Sequence, residues 1–179
     1  MENDFLDAHV AQPEQRPEVS DRLAKLASFA MISVLDFLPS AEGVHISLVL
    51  KREGHNTPQA ESVFSEDTSV DEALAHAREH MEKDSTIEAY ALVIDSQSKL
   101  AGFPDARPVD EYGQEYPPDQ PVAAMYAGER DEQQGILVVQ PYRRRFFRGG
   151  ATPVGAPLIV QGPDSLLAFD GPCLPQQAQ

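Results

Sequence analysis

A chain of 179 residues, 41% hydrophobic and 24% charged, can build one hydrophobic core, and its composition excludes wholesale disorder. Its formal charge of -15, from 29 carboxylates against 14 lysines and arginines, repels polyanions and anionic lipid, which counts against nucleic acid and membrane as partners. A lone cysteine, Cys173, excludes an internal disulfide and a four-cysteine metal site, and points to a reducing, cytoplasmic setting.

Residues 1–17, with Pro13 and Pro17 and no hydrophobic period, read as a flexible arm. Residues 18–170 read as a single α+β domain, and 171–179 as a flexible Pro/Gln-rich tail. The acidic start, Met1-Glu2-Asn3-Asp4, is unlike the basic start of a signal peptide. Ser20 is the expected N-cap of a first helix, since Leu23, Leu26, Ala27, Ala30, Val34, Phe37 and Leu38 recur at helical spacing and Pro39 ends the run. Its second half is apolar nearly all round, so the helix should be covered on most sides; residues 29–38 read alternatively as a strand. The apolar stretch 26–38 is well short of the ~20 residues that cross a bilayer.

After a turn at 39–43, residues 44–51 place Val44, Ile46, Leu48 and Leu50 on one face of a strand. Residues 54–67 read as polar loop. Ser69-Val70-Asp71-Glu72 matches a capping box and predicts a second helix to about Lys83. Within it, His76-Ala77-Arg78-Glu79-His80 fits H-x-x-E-H and so resembles the inverted zinc peptidases over five residues. That resemblance implies His76 and His80 as zinc ligands and Glu79 as general base. The family's third ligand, a glutamate on a later helix, has no counterpart here, and the helical wheel puts both histidines on the flank of a buried face made by Val70, Ala73, Leu74, Ala77 and Met81.

A strand is expected at 87–94, closed by a turn at 95–98 in which Asp95 is the carboxylate best placed to be partly buried. Residues 103–121 carry five prolines and a series of acids, and read as a long acidic loop. Residues 122–129 and 136–141 flank 130–135 as a hairpin, followed by a weaker strand at 156–161. Helices early and strands late predict an α+β fold: a mainly antiparallel sheet of four to five strands with two helices packed on one face. A crossover between 44 and 94 could add one parallel pair.

The hairpin's second strand runs into Pro141-Tyr142-Arg143-Arg144-Arg145-Phe146-Phe147-Arg148, which puts four of the 14 basic residues into six positions. Pro141 cannot donate to a ladder, so an edge strand is expected there, guarded by charge. The nearest acids able to neutralise the arginines belong to the Pro-rich loop, from Asp105 to Asp119. Interleaved Arg and aromatic residues also suit an interface core, or single-stranded nucleic acid, which the overall charge opposes.

No G-x-S-x-G elbow, P-loop or dinucleotide glycine pattern is present, and Cys173 has no histidine after residue 80. The sequence therefore predicts no cofactor and a non-enzymatic protein–protein interaction module of adaptor or neutraliser type, leaning away from an enzyme. Its partner would be a protein of basic character or a second copy joined through an edge strand, with Tyr142, Arg143, Arg144, Arg145, Phe146 and Arg148 as the partner- or anion-binding residues. Two alternatives stay open: a zinc-dependent hydrolase using His76, Glu79 and His80, and a small-anion-binding domain using the arginines from Arg143 to Arg148.

Overall fold

A computed structural model describes residues 17–38, 45–63, 68–97, 110, 112–132, 134–145 and 149–164. The expected arm before residue 17 and the tail at 171–179 lie outside these.

Helix α1 (Asp21–Phe37) starts where the Ser20 side chain accepts from the Leu23 N–H at 3.1 Å. It ends at Leu38, whose extended backbone is what a following proline imposes. The helical reading of residues 29–37 is therefore the one adopted. Helix α2 (Val70–Lys83) has the expected capping box: Ser69 Oγ accepts from Glu72 N–H at 3.2 Å, and the Glu72 carboxylate accepts from Ser69 N–H at 2.8 Å. Its other end is closed by the Arg130 guanidinium, which donates to the carbonyls of Met81, Asp84 and Ile87 at 2.6 to 2.7 Å. A cation there also complements the helix dipole.

The strands are β1 (Ile46–Arg52), β2 (Gln59–Val63), β3 (Ile87–Gln97), β4 (Pro121–Glu129), β5 (Gln134–Arg144), β6 (Ala151–Pro153) and β7 (Leu158–Asp164). They form one sheet in the order β2-β1-β3-β4-β5-β6, with β7 also on β5, and every pairing is antiparallel. The α+β class with a mainly antiparallel sheet is thus the one observed, with seven strands rather than four to five.

Several local expectations need correction. The stretch 54–67 contains β2, whose polar Gln-Ala-Glu-Ser sequence suits a strand paired on one side only. Because β2 reverses the chain before α2, β1 and β3 pair antiparallel and no parallel pair forms. Strand β3 does not turn at Asp95; it continues to Gln97, paired with β4 along Asp95↔Ala123 to Gln97↔Pro121. Nor is β5 an edge, since β7 covers its first part from Gln134 to Val139 and β6 covers Tyr142 to Arg144.

The helices lie against opposite faces of the sheet, not one. Leu26, Ala27, Ala30, Met31 and Val34 of α1 pack with Ala89, Ala91, Val93, Ala123, Met125 and Val138. Ala73, Leu74, Ala77 and Met81 of α2 pack with Leu48, Leu50, Tyr90, Leu92 and Ile94. From Ala89 to Ile94, strand alternation sends odd-numbered β3 residues to the α1 layer and even-numbered ones to the α2 layer, while Ile87, beyond the irregularity opposite Lys51 and Arg52, packs in the α2 layer. No helix among the described residues is long and apolar enough to cross a membrane.

The turn between α2 and β3 is pinned to β1 through Asp84, which accepts from Arg52 Nε at 2.8 Å and from Thr86 N–H at 3.0 Å. Arg52, with the Thr86 hydroxyl and N–H, holds the Asp84 carboxyl down to about 2, from an ordinary 3.8. A lowered folded-state value means that the stabilisation is present above the ordinary range and lost as pH falls through the folded one. Asp84→Asn should therefore be less stable than wild type near neutrality, with the difference in urea midpoint narrowing as pH falls from 3.8 to about 2. A gap that stays constant across that window would contradict the assignment.

Candidate functional site

The residues singled out at the end of β5 meet the end of β3 across β4. Asp95 lies opposite Ala123 on β4, and Ala123 lies opposite Gln140 on β5. Alanine projects only a methyl group into this row, and Tyr142 reaches over β4 to donate its hydroxyl to Asp95 Oδ1. Arg144 donates from Nη2 to the other carboxylate oxygen at 2.5 Å, and its guanidinium carbon sits 5.7 Å from the Tyr142 ring centroid. The Asp95 N–H donates to the His45 carbonyl at 2.8 Å, which fixes the backbone under the carboxylate.

Asp95 is only 5% exposed and Tyr142 is fully buried. Burial pushes the Asp95 carboxyl above its ordinary range, against the opposing pull of Tyr142 and Arg144. Burial and then the neighbouring carboxylate push the Tyr142 phenol up as well. A phenol held so firmly and closed to solvent is poorly suited to proton transfer near neutrality, and the trio is built as a clamp. The partial burial expected of Asp95 is observed, within a strand instead of a turn. Around it, the Gln140 amide donates to Pro141 O at 2.8 Å, and the Gln120 amide donates to Tyr142 O at 2.7 Å.

The arginine cluster is divided by these contacts. Arg144 is drawn in to Asp95, whereas Arg143 is exposed and makes no ion pair among the described residues. Arg145 stays half-exposed, donating from Nε to Thr152 Oγ1 at 3.2 Å, with Nη2 3.6 Å from Asp36 Oδ1. Both carboxylates lie outside the Pro-rich loop that was expected to supply them; residues 105–109 and 111 of that loop, with Phe146 and Arg148, lie outside the described residues. Gly150 binds this segment to α1. Its N–H donates to Leu38 O at 2.7 Å, its φ is +74°, and an added Cβ would stand 2.7 Å from the Asp36 carbonyl oxygen.

The contact with Asp36 brings Arg145 to a helix face that the sequence reading missed. Phe29, Ile32 and Phe37 of α1 are 39%, 51% and 86% exposed. At ~100° per residue Phe29 and Ile32 stand about 60° apart on the side away from the sheet, whereas Phe37, the last residue of the helix, shares the angle of Leu26 and Ala30 and is exposed at the helix end. Phe37 keeps the helical spacing expected of the buried residues, yet its side chain is exposed. The available signal was the apolar second half of the helix, which holds more large side chains than one sheet face can cover.

On the other layer, His76 and His80 sit on the flank of α2 as expected, Nε2 to Nε2 at 3.0 Å. Glu79 does not join them; its carboxylate is paired with Lys83 and is more than half exposed. The acid that approaches the histidines is Glu61 of β2, with Oε2 3.9 Å from His80 Nδ1. Among the described residues no group of three or more His, Cys, Asp or Glu is arranged to hold a metal ion. Comparison of the chain with known protein families, curated proteins and solved structures finds no match.

Two substitutions test the clamp. Tyr142→Phe leaves a buried carboxylate oxygen without its donor and should cost about 1–3 kcal/mol in urea unfolding. Since Asp95 titrates above its ordinary value when folded, its contribution is fully present below the unfolded value and is lost as pH rises through the folded one. Asp95→Asn should flatten that descending part of the stability–pH curve, and an unchanged slope would refute the assignment.

Proposed function

We propose that this chain is a non-enzymatic protein-interaction module of adaptor or neutraliser type that docks through the outer face of α1. The observation that carries the reading is the exposed pair Phe29 and Ile32 on the outer side of α1, with the exposed Phe37 at the helix end and the half-exposed Arg145 beside Asp36. Large exposed apolar side chains near one another on a helix and its end suit an interface core, and aromatic residues with arginine are enriched there. In this arrangement the aromatic part of the anchor comes from α1, because Tyr142 is buried and tied to Asp95.

The occupant we favour is a basic protein. A formal charge of -15 gives such a partner long-range attraction, which accelerates encounter before the apolar face is engaged. The lone cysteine fits a reducing compartment, and we place the module in the cytoplasm. Self-association through β5 has less support, since β6 and β7 occupy its outer side. The hydrolase alternative has less support because Glu79 turns to Lys83. For the small-anion alternative, Asp95 already meets the charge of Arg144, leaving Arg143 and Arg145 as its described contributors.

Quantitative cross-linking and capture from the native source, with wild type beside a Phe29→Ser/Ile32→Ser/Phe37→Ser variant, tests the reading. Expected is a basic partner retained by wild type and depleted roughly tenfold or more by the variant, with an association rate that falls as salt rises. Retention of the same partner by the variant, with unchanged helical circular dichroism, would overturn it.

A further inference from the structure

We propose that His76 and His80 form a two-imidazole site for a divalent transition-metal ion of the zinc, nickel or copper type, with Glu61 holding His80 in its ligating orientation. The histidines are one turn apart on α2, so their side chains rise from the same flank. Their Nε2 atoms converge to 3.0 Å. A metal binds imidazole nitrogen at about 2.0–2.1 Å, and two such nitrogens at cis angles of roughly 90–110° stand about 2.9–3.4 Å apart. The observed separation falls in that interval.

The other nitrogen of His80 supports the same assignment. Nδ1 faces Glu61 Oε2 at 3.9 Å, and Glu61 Oε1 accepts from Arg52 Nη1 at 2.6 Å. Arg52 is itself fixed by Asp84 at 2.8 Å. A ligating histidine commonly directs its second ring nitrogen to a carboxylate, which sets the tautomer and the ring orientation. The series Asp84–Arg52–Glu61–His80 supplies that support from β1, β2 and the end of α2. It differs from the H-x-x-E-H chemistry, since the acid belongs to β2 and acts as a positioning residue, not as a base.

With two protein ligands, the remaining coordination positions are open to water or an incoming ligand, so binding is exchangeable. Nitrogen donors select copper, nickel and zinc, whereas magnesium and calcium require oxygen. That contrast separates this site from the many surface carboxylates.

The test uses the full chain without a polyhistidine tag. Calorimetric titration should give one saturable site for Cu²⁺, Ni²⁺ and Zn²⁺, tightest for Cu²⁺, and no comparable site for Mg²⁺. The electron paramagnetic resonance spectrum of the Cu²⁺ form should show hyperfine coupling to two imidazole nitrogens. Either His76→Ala or His80→Ala should weaken binding at least tenfold and remove one nitrogen from the spectrum. Glu61→Gln should keep both nitrogens and weaken affinity by about 10–100-fold. His55→Ala, the control, should change nothing. A plain imidazole–imidazole hydrogen bond predicts no saturable uptake, and that result overturns the site. Uptake that survives the double histidine variant, or that Mg²⁺ reproduces, also overturns it. Unchanged affinity in Glu61→Gln removes the role of Glu61.

Discussion

Covering both faces of β3 and β4 obliges the buried charged and amide side chains of the central strands to find partners inside the protein, and that requirement organises the rest. Asp95, Glu129 and Gln140 are the buried polar or charged residues among those described. Each is satisfied, and each lies in the α1 layer. Glu129 accepts from the Ser20 hydroxyl and from Arg22 Nε, both at 2.7 Å, so a β4 carboxylate also fixes the start of α1. Asp95 is met by Tyr142 and Arg144 at the other end of the same layer. Gln140 gives its amide to backbone carbonyls where the partner of β5 changes. Unmet, any one of these groups would carry a penalty of about 1–3 kcal/mol or more.

The same requirement explains how a basic run can end a strand in an acidic protein. Pro141 offers no N–H, and the outer pairing of β5 passes from β7 to β6 on either side of it. The Pro141 carbonyl takes the Val154 N–H at 2.8 Å, which closes the gap left by the change. Beyond it, Tyr142 and Arg144 turn inward to Asp95 while Arg143 stays exposed, so alternation divides the cluster between structure and surface. The chain then returns to the end of α1 through Gly150 and Arg145. The α1 face and the end of β5 are therefore mechanically one region.

What could be read from the sequence follows physical locality. Both helices, the Ser20 cap, the Ser69/Glu72 capping box and the β4–β5 hairpin depend on neighbours a few residues apart, and they were legible. Strand β2 was not, because a one-sided edge strand needs no hydrophobic alternation, and Gln-Ala-Glu-Ser shows none. The two-layer arrangement left a trace that was misjudged: Ala-Tyr-Ala-Leu-Val-Ile on β3 and Val-Ala-Ala-Met-Tyr-Ala on β4 are apolar without alternation, the pattern of strands covered on both faces. The Asp95–Arg144 pair spans 49 residues, and the approach of Glu61 to His80 depends on the unrecognised β2. Neither could be found by spacing along the chain.

Opposite layers also separate the two surfaces by chemistry. The α1 side buries its own polar groups and exposes aromatic and aliphatic side chains outward. The α2 side does the reverse: Ala73, Leu74, Ala77 and Met81 go into the sheet, while histidine, glutamate and arginine gather at its rim. A partner seated on Phe29, Ile32 and Phe37 would meet no side chain of the α2 layer, because the sheet stands between them. Occupation of one face therefore leaves the other sterically free. Any influence between them would have to pass through the strands, where Ala89, Ala91 and Val93 alternate with Tyr90, Leu92 and Ile94. Close-packed strands of this kind resist displacement, so the two faces should act independently.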